Sequence, residues 1–160
     1  MMIDNTVFIA AGAQVVGMVY IDEYSSVWYN AVVRGDRSKI TIGRFSNIQD
    51  GCIIHGSEDY PVRIGDFVSV GHGSKIHGAE VSDNCIIGMG AILLNGVRIG
   101  KDSVVAAGSV VTEAKKFPDR SLIMGTPATV VRSLHPEEVE SIKQNALEYK
   151  DLTVKHKSGK

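Results

Sequence analysis

The stretch VSDNCIIGMGAILLNGVRIGKDSVVAAGSVV, residues 81–111, places a large aliphatic residue at every sixth position: Val81, Ile87, Leu93, Ile99, Val105 and Val111. Toward the N-terminus the same spacing returns at Ile64, Val70 and Ile76, at Ile42, Ile48 and Ile54, and at Ile9, Val15, Ile21, Val27 and Val33. Glycine follows the aliphatic at Gly43, Gly65, Gly71, Gly88 and Gly100. A small residue stands four places after it at Ala13, Ser25, Ala31, Ser46, Cys52, Ser74, Cys85, Ala91, Ser103 and Ser109. Three constraints held in phase over most of the chain define a structural repeat.

Six is a multiple of the strand period of two, so a strand keeps the repeated aliphatics on one face. A continuous strand of this length is excluded, because strands average about five or six residues. The chain must therefore turn a corner every sixth residue, with glycine expected to permit the corner conformation. Three sides close a triangular coil of about 18 residues, and coils stacked about 4.8 Å apart bury the aliphatics in a narrow prism. The small residue shares that interior. The pattern resembles the left-handed parallel β-helix of hexapeptide-repeat proteins. The left hand is implied by the resemblance, since parallel crossovers are otherwise right-handed. The expected fold class is an all-β solenoid with a C-terminal helix.

Composition agrees. The chain has 160 residues, enough for one domain and a tail, with 44% hydrophobic and 22% charged residues. Its 20 valines and 16 isoleucines outnumber 6 leucines, and 17 glycines add turn capacity. A helical bundle is excluded by that balance. The net charge is −1, from 17 cations against 18 carboxylates, without the basic excess of a nucleic-acid binder. No apolar run approaches the ~18 residues of a membrane span, and Met1-Met2-Ile3-Asp4-Asn5 lacks the features of a secretory signal. Cys52 and Cys85 match neither a CxxC nor a zinc-finger spacing and read as inert core. A cytoplasmic, reduced protein is expected.

The repeat fades after Val111. Pro118 and Pro127 mark an irregular segment with a last side at Ile123 to Val130. Pro136 suits the first turn of a helix, Glu137, Glu138 and Glu140 its positive end, and Lys150 its other end. Val139, Ile142, Ala146 and Tyr149 form its apolar stripe. The expected division is a β-helix over 1–132, a helix packed on the prism over 133–152, and a polar tail over 153–160.

Histidines interrupt the pattern where chemistry is expected. His55 follows Ile54 and His77 follows Ile76, so both occupy the place that glycine usually fills. If 54 to 64 is one side plus a four-residue insertion, His55 and His77 stack on one face in adjacent coils. Two imidazoles one strand spacing apart can share a metal ion. His72 falls on the preceding side of the coil and cannot reach that ion within one chain. A three-fold assembly would bring it there from a neighbour. A lone histidine on such a repeat is more often a satisfied surface or core group, but three in fixed register favour a ligand set. Three neutral imidazoles and an open position suit catalytic zinc, and Fe(II) or Co(II) also fit.

With these residues, Arg34-Gly35-Asp36, Asn47-Ile48-Gln49-Asp50-Gly51, His55, Gly71-His72-Gly73 and Ile76-His77-Gly78 resemble the motifs of the gamma-class carbonic anhydrases. The resemblance spans about residues 9 to 150. It implies reversible hydration of carbon dioxide to bicarbonate by a homotrimer, with His55 and His77 from one subunit and His72 from the next. It implies that Gln49 hydrogen-bonds the attacking hydroxide. Arg34, Asp36 and Asp50 would surround the site and the subunit boundary, Asn47 would lie near substrate, and Tyr149 would reach the pocket from the helix. Arg34 can pair bidentately with a carboxylate or bicarbonate, although Arg34 and Asp36 equally suit an ion pair at the subunit boundary.

The chain departs from the family pattern between His55 and Val62, where Gly56-Ser57-Glu58-Asp59-Tyr60-Pro61 replaces a longer acidic proton-shuttle loop. Glu58 and Asp59 are the available substitutes. Arg34-Gly35-Asp36 as an adhesion motif does not suit a chain without an export signal, and Gly71-His72-Gly73 has no third glycine for a dinucleotide fingerprint. Trp28 and Tyr29 suit subunit contacts, and His135 and His156 suit solvent. Two other functions fit the repeat. One is an acyl-CoA-dependent acyltransferase, which needs a histidine base rather than a metal triad. The other is a metal-stabilised structural trimer without turnover.

Overall fold

The repeat builds a three-sided coil whose sides stack in parallel register, in a computed structural model that describes residues 1–157. β1 (Met2–Ile3), β2 (Phe8–Ile9) and β3 (Gln14–Ile21) open the stack, followed by β4 (Ser26–Val27) and β5 (Val32–Ile42). β6 (Asn47–Ile48), β7 (Ile53–His55) and β8 (Val62–Ile64) come next, then β9 (Ser69–Val70), β10 (Lys75–His77) and β11 (Glu80–Val81). β12 (Ile86–Ile87), β13 (Ile92–Leu93) and β14 (Arg98–Ile99) precede β15 (Val104–Val105), β16 (Val110–Val111) and β17 (Lys116–Phe117). β18 (Ser121–Gly125) and β19 (Ala128–Ser133) close the stack before α1 (Pro136–Lys157). The architecture is a left-handed parallel β-helix with one C-terminal helix.

One side is formed by β2, β4, β6, β9, β12, β15 and β18. A second contains β7, β10, β13 and β16, and a third β8, β11, β14 and β17. β3 and β5 run unbroken around the corner between the second and third sides, joining them into one sheet. Inside, Val27, Ile48, Val70, Ile87 and Val105 stack along the first side, and Val33, Ile54, Ile76, Leu93 and Val111 along the second, all essentially inaccessible. Each such burial contributes about 1.5–3 kcal/mol. Ala31, Cys52, Ser74, Ala91 and Ser109 fill the interior corner where larger side chains would collide. Ile9 occupies an inward register position opposite Val27 but is 41% exposed, because β2 is the end strand of its sheet.

Glycine after the aliphatic does not serve the corner conformation expected of it. A Cβ at Gly88 would lie 2.4 Å from the backbone nitrogen of Ala107, and one at Gly71 would lie 2.7 Å from that of Met89. These positions need glycine because successive coils approach there. The left-handed backbone sits elsewhere at the corners, as at Gly73, with φ +70 and open space around its missing Cβ. At another corner bulky residues adopt it: Tyr24, Phe45 and Phe67 all have positive φ. Their rings stack in sequence, with centroids 5.1 Å apart at both steps, which offsets the backbone strain.

The last side is also corrected. It lies at β18, where Ile123 pairs with Val105, and β19 then turns back antiparallel instead of extending the side to Val130. The helix outruns its expected end at 152 and reaches Lys157. Its final turns remain anchored by buried Thr153, by a 2.8 Å bond between His156 Nδ1 and the Tyr29 hydroxyl, and by Lys157 donating to the Thr6 carbonyl. The expected tail residues 158–160 lie outside the described residues. Among the described residues no helix is long and apolar enough to cross a membrane.

Candidate active site

The second side carries the histidine pair. Arg34, His55 and His77 are register partners on β5, β7 and β10, pointing outward because Val33, Ile54 and Ile76 point in. The counted insertion between Ile54 and Ile64 is the turn holding Ser57 to Tyr60, so the register arithmetic stands. His55 Nδ1 lies 3.1 Å from His77 Nε2. On its other edge His55 Nε2 lies 3.0 Å from Asp36 Oδ1, and His77 Nδ1 lies 2.8 Å from Asn95 Oδ1. Asp36 also accepts from Arg34.

A bulge explains the reach of Asp36. Gly17 pairs with Gly35, but Val19 pairs with Ile40, so β5 carries extra residues just after Gly35. The bulge projects Asp36 over the neighbouring strand. Partial desolvation raises its carboxyl pKa, but bonds from His55 and Arg34 outweigh this and hold it below the usual carboxylate range. Asp36 remains anionic and therefore accepts only, so His55 donates Nε2–H to it. In the neutral ring the Nδ1 lone pair then faces His77.

The remaining expected residues gather on the first side and its corner. His72 follows β9 in the turn, directly above Asp50 of the previous coil, as the Gly73 amide bond to the Asp50 carbonyl records. His72 Nδ1 lies 2.9 Å from Asp50 Oδ2, and its Nε2 lies 3.5 Å from the Tyr149 hydroxyl. Burial, with the negative charge of Asp50 second, raises the Tyr149 pKa. Asn47 and Gln49 flank inward-facing Ile48 and so point outward, yet they are only 1% and 6% exposed because α1 covers this side. Gln49 Nε2 donates to Asn47 Oδ1 at 3.0 Å, and Asn47 Nδ2 donates to Ser69 Oγ at 2.9 Å.

The expected residues thus divide into two sets: Arg34, Asp36, His55 and His77 on one side, and Asn47, Gln49, Asp50, His72 and Tyr149 on the other. Among the described residues no three His, Cys, Asp or Glu side chains of one chain are placed to hold a metal. The pair itself suits a shared cation. Its 3.1 Å separation is near the ~3.3 Å edge that two nitrogens span at tetrahedral zinc with bonds of about 2.05 Å.

One expectation is corrected here. Trp28 is 4% exposed within a single chain, packed edge-on to Phe8 and Tyr149, rather than presented to a neighbour. His156 is exposed, as expected, while one edge of its ring packs against Trp28 with centroids 4.9 Å apart. Asn95 was missed by sequence reasoning because it belongs to no motif; the shared register of Ile76 and Leu93 was its one signal. Cys52 and Cys85 are fully buried free thiols, pushed by desolvation to pKa values of about 11 and about 12, and are inert.

Comparison with known proteins agrees with the repeat fold: the family described as bacterial transferase hexapeptide (six repeats) matches residues 78–113. A protein of Methanocaldococcus jannaschii named "Probable carbonic anhydrase" is 52% identical over 95% of this chain and 96% of its own. Gamma carbonic anhydrase 2, mitochondrial, of Arabidopsis thaliana is 41% identical over 98% of this chain, which spans 59% of the plant protein. A crystal structure from Bacillus cereus, provisionally named an acetyltransferase, superimposes with a TM-score of 0.96 at 38% identity, covering 99% of this chain and 92% of its own. The chain belongs to the gamma carbonic anhydrase family.

Proposed function

We propose that the protein catalyses metal-dependent, reversible hydration of carbon dioxide to bicarbonate. The observation that carries this reading is the convergence of His55 Nδ1 and His77 Nε2 at 3.1 Å, oriented from outside by Asp36. Two such nitrogens from one chain and His72 from a neighbouring copy complete a three-imidazole set in a homotrimer. The physiological metal is zinc, with Fe(II) or Co(II) as alternatives of the same ligand chemistry. Zinc held by these three imidazoles would lower the pKa of a bound water to about 7.

The two side-chain sets are complementary halves of one site, joined at the subunit boundary. Asp36 holds His55, and Asp50 holds His72 by its Nδ1, so that Nε2, 3.5 Å from the Tyr149 hydroxyl, is the edge that would meet a metal. Arg34 offers a guanidinium to bicarbonate. Gln49 and Asn47 present buried amides beneath α1, where they orient the attacking water and the substrate oxygens, and Tyr149 closes the pocket from the helix. Glu58 and Asp59 lie exposed at the tip of the short turn and are the carboxylates available to carry protons to solvent. The two free buried thiols suit the reducing cytoplasm.

The acetyltransferase reading is weaker. It would use His72 as a base with Asp50 as its partner, and it leaves His55, His77 and Asp36 without a role. The test is carbon dioxide hydration by protein loaded separately with zinc, iron and cobalt under anaerobic conditions. Metal-dependent turnover supports the reading. Bound metal with no turnover for any of the three points instead to a structural trimer.

A further inference from the structure

The structure assigns Asn95 as a positioning residue that determines which nitrogen of His77 is free to bind a metal, an inference that rests on the reading of His77 as a ligand. Asn95 follows β13 by two residues. Because Ile76 pairs with Leu93, it stands over Gly78 in the coil below. Its Oδ1 lies 2.8 Å from His77 Nδ1. A carbonyl oxygen only accepts, so His77 carries its hydrogen on Nδ1, and in the neutral ring Nε2 is bare. Nε2 is the nitrogen 3.1 Å from His55 Nδ1.

Asp36 on one flank and Asn95 on the other therefore turn two lone pairs toward each other. Two facing acceptors at this distance repel unless a cation lies between them. The opposite tautomer of His77 would place an N–H in that space and block a metal. Gly78 makes the contact possible: a Cβ there would lie 2.3 Å from Asn95 Oδ1, and the backbone has φ +64. The Asn95 carbonyl accepts from the Ala114 amide at 2.9 Å, which fixes the backbone from which the side chain reaches.

The experiment compares the full-length protein with Asn95→Asp, which keeps the acceptor, and Asn95→Leu, which removes it at similar size. Ring nitrogen shifts of His77 in the metal-free protein report the tautomer, and chelator competition with zinc alone reports affinity. The parent and Asn95→Asp should show Nδ1–H. Asn95→Leu should lose that preference and bind zinc about 10- to 100-fold more weakly. A parent ring protonated on Nε2 overturns the proposal without any variant, so a Leu variant that fails to fold leaves it falsifiable. Zinc uptake by the parent with an unaffected Asn95→Leu variant overturns the role of Asn95 alone. No zinc uptake by the parent overturns the ligand reading, and this inference with it.

Discussion

His55 and His77, 22 residues apart in the chain, are register partners on β7 and β10, with Nδ1 of one 3.1 Å from Nε2 of the other. His72, closer in sequence to His77, is instead paired with Asp50 at the corner. Distance along the chain is a poor guide in a solenoid, where one full coil returns a residue to its own column. On the proposed reading, that register is why a three-histidine site would draw on two copies of the chain.

Mixing variants tests that sharing. His72→Ala and His77→Ala should each lose most bound zinc while keeping the far-ultraviolet circular dichroism of the parent. If the two are unfolded and refolded together at equal amounts, random trimers should regain about one quarter of the sites, because each site draws on two chains. No zinc recovery in mixed trimers would count against a shared site, and full occupancy of either variant alone would remove that histidine as a ligand.

Gln49 separates chemistry from structure. Gln49→Ala should lower the hydration rate about ten-fold or more, equivalent to roughly 1.4 kcal/mol of barrier, with zinc content and trimer size unchanged. Because Gln49 donates to buried Asn47, the variant should also lose about 1–3 kcal/mol of stability unless water fills the gap. A variant as active as the parent would show that the amide serves only packing.

Two glycines should respond differently to alanine. Gly88→Ala sets a Cβ 2.4 Å from the Ala107 backbone, so adjacent coils must separate, at a cost of about 1–3 kcal/mol. Gly73→Ala meets open space and costs only about 1 kcal/mol, for its left-handed backbone. Chemical denaturation of the two variants gives the order directly. Equal losses would mean that backbone conformation, not coil contact, is what glycine supplies at both.

Acid should release the start of the helix. Glu138 accepts from both Arg132 Nη atoms at 2.7 and 2.8 Å and from the His135 amide at 2.8 Å, which together hold its carboxyl at a pKa of about 2. A depressed folded-state pKa stabilises above the unfolded value of about 4.3, and that contribution disappears as pH falls toward 2. The stability difference between the parent and Glu138→Gln should therefore shrink across that window in thermal melts. The pair is exposed, so the difference is modest even at neutral pH. A difference constant from pH 6 to 2 would exclude the linkage.

The amino-acid chain alone specifies the coil, its three sides and the stacking of His55 on His77. Those follow from a strict period, and a buried prism tolerates no slip: a shift of one residue would turn Ile54 and Ile76 out to solvent. It also placed His72 on a different side. Tertiary structure alone decided which residues touch between columns. That Asp36 reaches His55 depends on a bulge in β5 whose size is set by pairing with β3. That Gln49 and Asn47 are buried depends on where α1 lies, and that Asn95 meets His77 depends on the absence of a side chain at Gly78. Glycine after the aliphatic was visible in the sequence, but its reason was not, because the approach of one coil to the next is a relation between residues about eighteen apart.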